Sequence, residues 1–114
     1  MSPRWRRGRR VWMEPGFTRF DPAGPVAPSG EVVLTVDEFE AVRLKDLEGL
    51  AQEDGAKRMG ISQPTFHRAL VSARGKIADA LINGKVIRIE GGDYRIVARG
   101  PGRRKGKGRG GPFR

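Results

Sequence analysis

From residue 35 to residue 84 apolar side chains return every three or four positions, and glycine-containing breaks divide the run into three helical segments. The first opens on Thr35-x-x-Glu38, a capping box in which the Thr hydroxyl takes the third helical N–H and the Glu carboxylate reaches back. Leu34 and Phe39 have the spacing of a hydrophobic staple, and Asp37, Glu38 and Glu40 crowd the first turn, where the helix macrodipole favours negative charge. These carboxylates therefore read as structural rather than as an acid–base pair. The helix continues through Ala41, Val42, Leu44 and Leu47 and stops near Glu48-Gly49. A short second helix is predicted from about Ala51 to Met59, broken by Gly60. The third begins with Ser62 as cap and Pro64 in the first turn, where a missing N–H costs nothing, and closes at Asn83-Gly84. Its inner stripe is Phe66, Ala69, Leu70, Ala73, Ile77, Ala80 and Leu81. Pro64, Arg68, Val71 and Gly75 fall on the opposite face, flanked by Gln63, His67 and Arg74.

Beyond the helices the period changes. Val86 to Glu90 and Asp93 to Val97 are β-prone runs split by Gly91-Gly92, which predicts a hairpin whose apolar side must lean on the helices or on a second chain. Val11 to Phe20, with Trp12, Phe17 and Phe20 around Pro15-Gly16, reads as extended chain with a turn, and Asp21 to Gly30 as a Pro/Gly-rich connector. The expected organisation is an arm over 1–30, a helical domain over 31–84, a hairpin over 85–97 and a tail over 98–114. On this division residues 31–97 suffice for the fold.

Charge sharpens the division. The 114 residues carry a formal net charge of +10, yet residues 31–97 hold ten basic against eleven acidic side chains, while 1–30 hold six against two and 98–114 seven against none. The last segment lacks apolar periodicity and is expected to be disordered, as is the stretch from Arg4 to Arg10. Two basic tails flanking a neutral centre favour a polyanionic partner. With no cysteine and one histidine there is no disulfide framework and no zinc centre, and no cofactor is expected. The apolar runs are far too short for a bilayer span, and the basic N-terminus develops no signal-peptide core, so a cytoplasmic protein without membrane partners is expected. Gly106, Gly108 and Gly111 match G-x-G-x-x-G only formally, lacking the flanking strand and helix a dinucleotide site needs. His67 has no nucleophile or metal partner signalled nearby, so an enzyme is not expected.

A short helix, a glycine turn and a longer helix with an inner apolar stripe form the pattern of a helix-turn-helix, which places the N-terminal outward residues of its last helix in a DNA major groove. Val32 to Leu44, Asp46 to Leu50, Met59 to Arg68 and Arg88 to Tyr94, with an N-terminal echo in Arg9-Arg10-Val11, Glu14-Pro15 and Phe20 to Gly24, carry a further likeness. In these residues the chain resembles a family of small prokaryotic proteins of DNA-binding type, related to region four of the sigma factors. The resemblance implies a mainly α fold, with a three-helix, sigma region-four-like helix-turn-helix, here joined to the C-terminal β-hairpin and the disordered basic tails. Relatives usually start the second helix with Ser or Thr where this chain has Ala51, and carry a larger residue at Gly55. Both departures should weaken that helix, as Gly75 should the third, so Ala51→Ser and Gly55→Ala are expected to stabilise.

The function expected is sequence-selective binding of double-stranded DNA in transcriptional regulation. Gln63, Pro64, Thr65, His67, Arg68 and Val71 would face the bases. Ser62, Arg74, Arg4, Arg6, Arg7, Arg9, Arg10, Arg103, Arg104, Lys105, Lys107 and Arg109 would hold phosphates. RNA polymerase is a further expected partner, and a homodimer through the hairpin is a compatible arrangement. The alternatives are RNA binding, with the Arg/Gly-rich tails and Trp5 stacking on unpaired bases, and a sigma-like adaptor that touches the transcription machinery without reading DNA.

Overall fold

A computed structural model describes residues 8–97. Arg4, Arg6, Arg7, Arg103, Arg104, Lys105, Lys107 and Arg109, and the tail over 98–114, lie outside the described residues. The order is β1 (Arg9–Val11), β2 (Arg19–Phe20), β3 (Glu31–Leu34), α1 (Val36–Val42) running into a π-helical turn (Arg43–Leu47), α2 (Gln52–Met59), α3 (Gln63–Asn83), β4 (Val86–Ile89) and β5 (Tyr94–Ile96). Three helices and a few short strands make a mixed, mainly helical fold.

The local signals act where the sequence puts them. In the capping box Thr35 N–H donates to Glu38 Oε1 at 2.9 Å and Glu38 N–H to Thr35 Oγ1 at 3.3 Å. The end of this helix departs from expectation: Glu48 N–H donates to the Arg43 carbonyl, five residues back, at 2.9 Å. The widened turn ends at Gly49, whose φ of 80° suits a residue without a Cβ.

The strands depart further. β3 and β4 pair in parallel, Glu31 with Val86 through Leu34 with Ile89, and β2 pairs antiparallel to the other edge of β4. The three helices are thus the crossover between two parallel strands, which such a pair requires. Because both edges of β4 are taken, the expected β4–β5 hairpin does not form. Gly91 and Gly92, at φ 75° and 103°, instead lead the chain away to β5, which pairs in parallel with β1, Arg9 opposite Tyr94 and Val11 opposite Ile96. The expected disordered arm is therefore built into the fold from residue 8 onward.

Two apolar clusters share α3. Its first half packs Phe66, Ala69 and Leu70 against Ala41, Leu44, Ala56 and Met59; further along, Ala73 joins Val11, Leu34, Val36 and Ile89 under the strands. Val11 is fully buried, so residues 31–97 alone lack part of the core, contrary to the division drawn from sequence. The inner stripe ends at Ala80. Leu81, at the margin of the buried arc, is 74% exposed.

Candidate nucleic-acid interface

Two glycine and serine devices set the angle between α2 and α3. Gly60, at φ 71°, closes α2: its N–H donates to the Lys57 carbonyl at 3.1 Å and Ile61 N–H to the Ala56 carbonyl at 3.0 Å, the paired bonds of a Schellman motif. Two residues on, Ser62 Oγ accepts Thr65 N–H at 3.2 Å and starts α3. Leu44, Ala56, Met59 and Phe66 fill the angle between the helices.

With Phe66, Ala69 and Leu70 turned inward, the first turns of α3 present Gln63, Pro64, His67, Arg68 and Val71 to solvent. Thr65 is half-buried, and its hydroxyl is shared between Ser62 Oγ at 2.8 Å and the Arg68 guanidinium at 3.2 Å. Ser62 thus acts first as a cap. Gln52 Nε2 lies 3.3 Å from His67 Nδ1, bracing the start of α2 against α3. The structure brings these expected base-facing residues, Thr65 apart, onto one exposed face.

The expected phosphate ligands scatter. Arg74 donates to both oxygens of Asp46, at 3.1 and 2.6 Å, and the hydrogen bond from Arg74 holds the Asp46 carboxyl below its ordinary range against slight burial. Arg9 is bonded to Asp37 Oδ2 at 2.7 Å. Arg10 lies across the end of α2, donating to the Lys57 and Arg58 carbonyls at 2.7 and 3.1 Å. Trp12 Nε1–H meets the Arg58 carbonyl at 2.8 Å, and the Arg58 guanidinium lies 5.5 Å from the indole centroid. Arg9, Arg10 and Arg74 thus tie parts of the fold to one another.

The acidic residues of α1 carry more than their macrodipole role. Glu40, fully buried, accepts two bonds from Arg43 at 2.8 and 2.9 Å and one from Trp12 N–H at 2.8 Å. Burial lowers the proton affinity of the Arg43 guanidinium, but the Glu40 contact outweighs it and keeps its pKa raised. Glu38 accepts from Lys76 Nζ at 2.7 Å and from Ser72 Oγ at 2.5 Å. Burial pushes its carboxyl up, yet these bonds and the Thr35 N–H prevail and hold it below its ordinary value. Asp37 Oδ1 is buried without a hydrogen-bond partner among the described residues. This carboxylate row anchors β1 and α3 to α1. Its partners from β1 and α3 lie dozens of residues away in sequence, so no local pattern announces it.

Among the described residues no helix is long and apolar enough to cross a membrane. The family described as "Protein of unknown function DUF134" matches residues 1–97. A UPF0251 protein of Thermoanaerobacter pseudethanolicus is 57% identical over 95 residues, covering 82% of this chain and 80% of that one. A UPF0251 protein of Moorella thermoacetica is 62% identical over 90 residues, 78% of this chain and 60% of its own length. One from Methanothermobacter thermautotrophicus is 53% identical over 92 residues, 81% of this chain but 48% of the relative. No solved structure matches. On the extent of the family match and the identity to these relatives, the chain belongs to the DUF134/UPF0251 family.

Proposed function

We propose that this protein binds double-stranded DNA, reading the major groove with the first turns of α3, and acts as a transcriptional regulator of sigma region-four-like type. The observation that carries the reading is the exposed face of Gln63, Pro64, His67, Arg68 and Val71 on a capped helix braced by α2. A helix about 10–12 Å across enters a groove about 12 Å wide. Arg68 uses one guanidinium nitrogen on Thr65, which leaves donors for the O6 and N7 of a guanine. Because Arg9, Arg10 and Arg74 are committed to internal partners, the non-specific role among the expected phosphate ligands passes to the basic segments outside residues 8–97, which suit backbone phosphates at any sequence.

The test is selection of bound sequences from a random duplex pool by the full chain, followed by Arg68→Ala and Arg104→Ala on the selected site. Arg68→Ala should cost about 1–3 kcal/mol and relax preference at one base pair, whereas Arg104→Ala should weaken all duplexes slightly and alike. Equal loss on every duplex from Arg68→Ala would make that residue a phosphate clamp. A pool that yields no motif, or tighter binding to single-stranded RNA, would sink the proposal.

A further inference from the structure

On the side of α3 away from Arg68 an open apolar groove of about 390 Å³ lies between α1, α3 and β4. Phe20, Phe39, Leu47, Ile77 and Ile87 line it, and its one charged neighbour among the described residues, Arg43, is already satisfied by Glu40 and Glu48. A charged partner would therefore find nothing to pair with. We propose that the groove is the face through which a second copy of this chain docks, in place of the hairpin contact that the sequence suggested.

Area and shape favour a second copy. Leu47 and Leu81 are 77% and 74% exposed, and Met13 and Phe20 52% and 51%. Phe20 and Ile87 line both the groove and the shallow depression beside Leu81, whose two charged residues, Asp21 and Lys85, are already paired with Arg19 and Asp79, so these side chains border one continuous surface. Together the four protruding side chains expose roughly 500 Å² of apolar surface, in the range where the largest patch of a monomer is often functional. Doubled across a two-fold axis this reaches about 1,000 Å², the threshold for a biological interface and short of the roughly 1,200–2,000 Å² of stable ones, which suits a weak, concentration-dependent dimer. The same face carries both the protruding leucines and the hollow beside them, which is what a self-complementary two-fold contact requires. Ile77 lies nine residues from Arg68, about two and a half turns, so pairing through the groove leaves both outward faces of α3 free. The dimer does not depend on DNA binding, and its test contains no DNA.

The test is the mass of the nuclease-treated full chain by sedimentation equilibrium. At about 100 μM, enough to populate a dimer with Kd near 10 μM, the mass should approach twice 12.6 kDa and fall on dilution. Leu47→Glu and Leu81→Glu should each weaken the association at least about tenfold, a change of about 1.4 kcal/mol, with unchanged circular dichroism. Val71→Glu, on the opposite face, should stay dimeric. A monomer at about 100 μM, a dimer indifferent to both Glu variants, or equal dissociation by Val71→Glu would each overturn the proposal.

Discussion

Replacing Gly55 by alanine tests the packing of α2 on α3, because helix propensity and geometry demand opposite signs. In an exposed helix the change stabilises by about 1 kcal/mol. Here Gly55 is buried, and a Cβ on it would lie 2.5 Å from Phe66 Cζ and 2.8 Å from Cε1, where carbon atoms normally rest at about 3.5–4.0 Å. The Phe66 ring is itself fully buried among Ala41, Leu44 and Met59, so it has no open side to turn toward. Either α2 or the ring must move by about 1 Å, and overpacking of that kind costs about 1–3 kcal/mol. Set against the propensity gain of about 1 kcal/mol, the net expectation is a loss of up to about 2 kcal/mol, or a midpoint lower by up to about 10 °C for a domain of this size. This reverses the stabilisation that the sequence suggested for Gly55→Ala. Thermal unfolding followed by circular dichroism reads the shift, with Gly75→Ala as reference. Gly75 is an exposed position of α3 where a Cβ meets nothing within 4 Å, so that change should raise stability by about 1 kcal/mol. In a cycle with Phe66→Leu, the cost of Gly55→Ala should shrink by more than about 0.5 kcal/mol. A midpoint that rises with Gly55→Ala as it does with Gly75→Ala would refute the packing argument.

Ala51, the residue before α2, makes no side-chain cap, so Ala51→Ser should add about 0.5–2 kcal/mol without altering any binding preference; an unchanged midpoint in thermal unfolding counts against it. Glu38 has a lowered folded pKa, so its contribution is complete above the ordinary carboxylate value of about 4.3 and disappears as pH falls through the folded value. Urea unfolding should therefore show Glu38→Gln weaker by about 1–2 kcal/mol near neutral pH and the gap closing in acid; a gap independent of pH would show that the carboxylate charge is not what Lys76 and Ser72 hold. Removing residues 98–114 should reduce the slope of log affinity against log salt on duplex DNA by about 0.9 per lost phosphate contact, and a slope that stays the same would take those residues off the DNA.

What the amino-acid sequence determined alone is the set of features whose partners lie within a turn or two. The Thr35–Glu38 box, the Ser62 cap with Pro64, the glycine terminations at 60 and 84 and the inward set from Phe66 to Ala80 all stand as the pattern implies. The outward placement of Gln63, Pro64, His67, Arg68 and Val71 follows from the same period, because a helix converts spacing into direction. Tertiary structure decided everything that depends on a distant partner. Val86 to Ile89 and Tyr94 to Ile96 are strands as their composition suggests, but strand composition does not name a neighbour, and β3 and β2 occupy the edges that a hairpin would need. Arg9 and Arg10 look like the rest of a basic arm until Asp37 and the end of α2 receive them. Gly55 reads as a weak point in a helix and becomes the space that Phe66 fills, since propensity counts only the residue's own backbone and packing counts what presses against it.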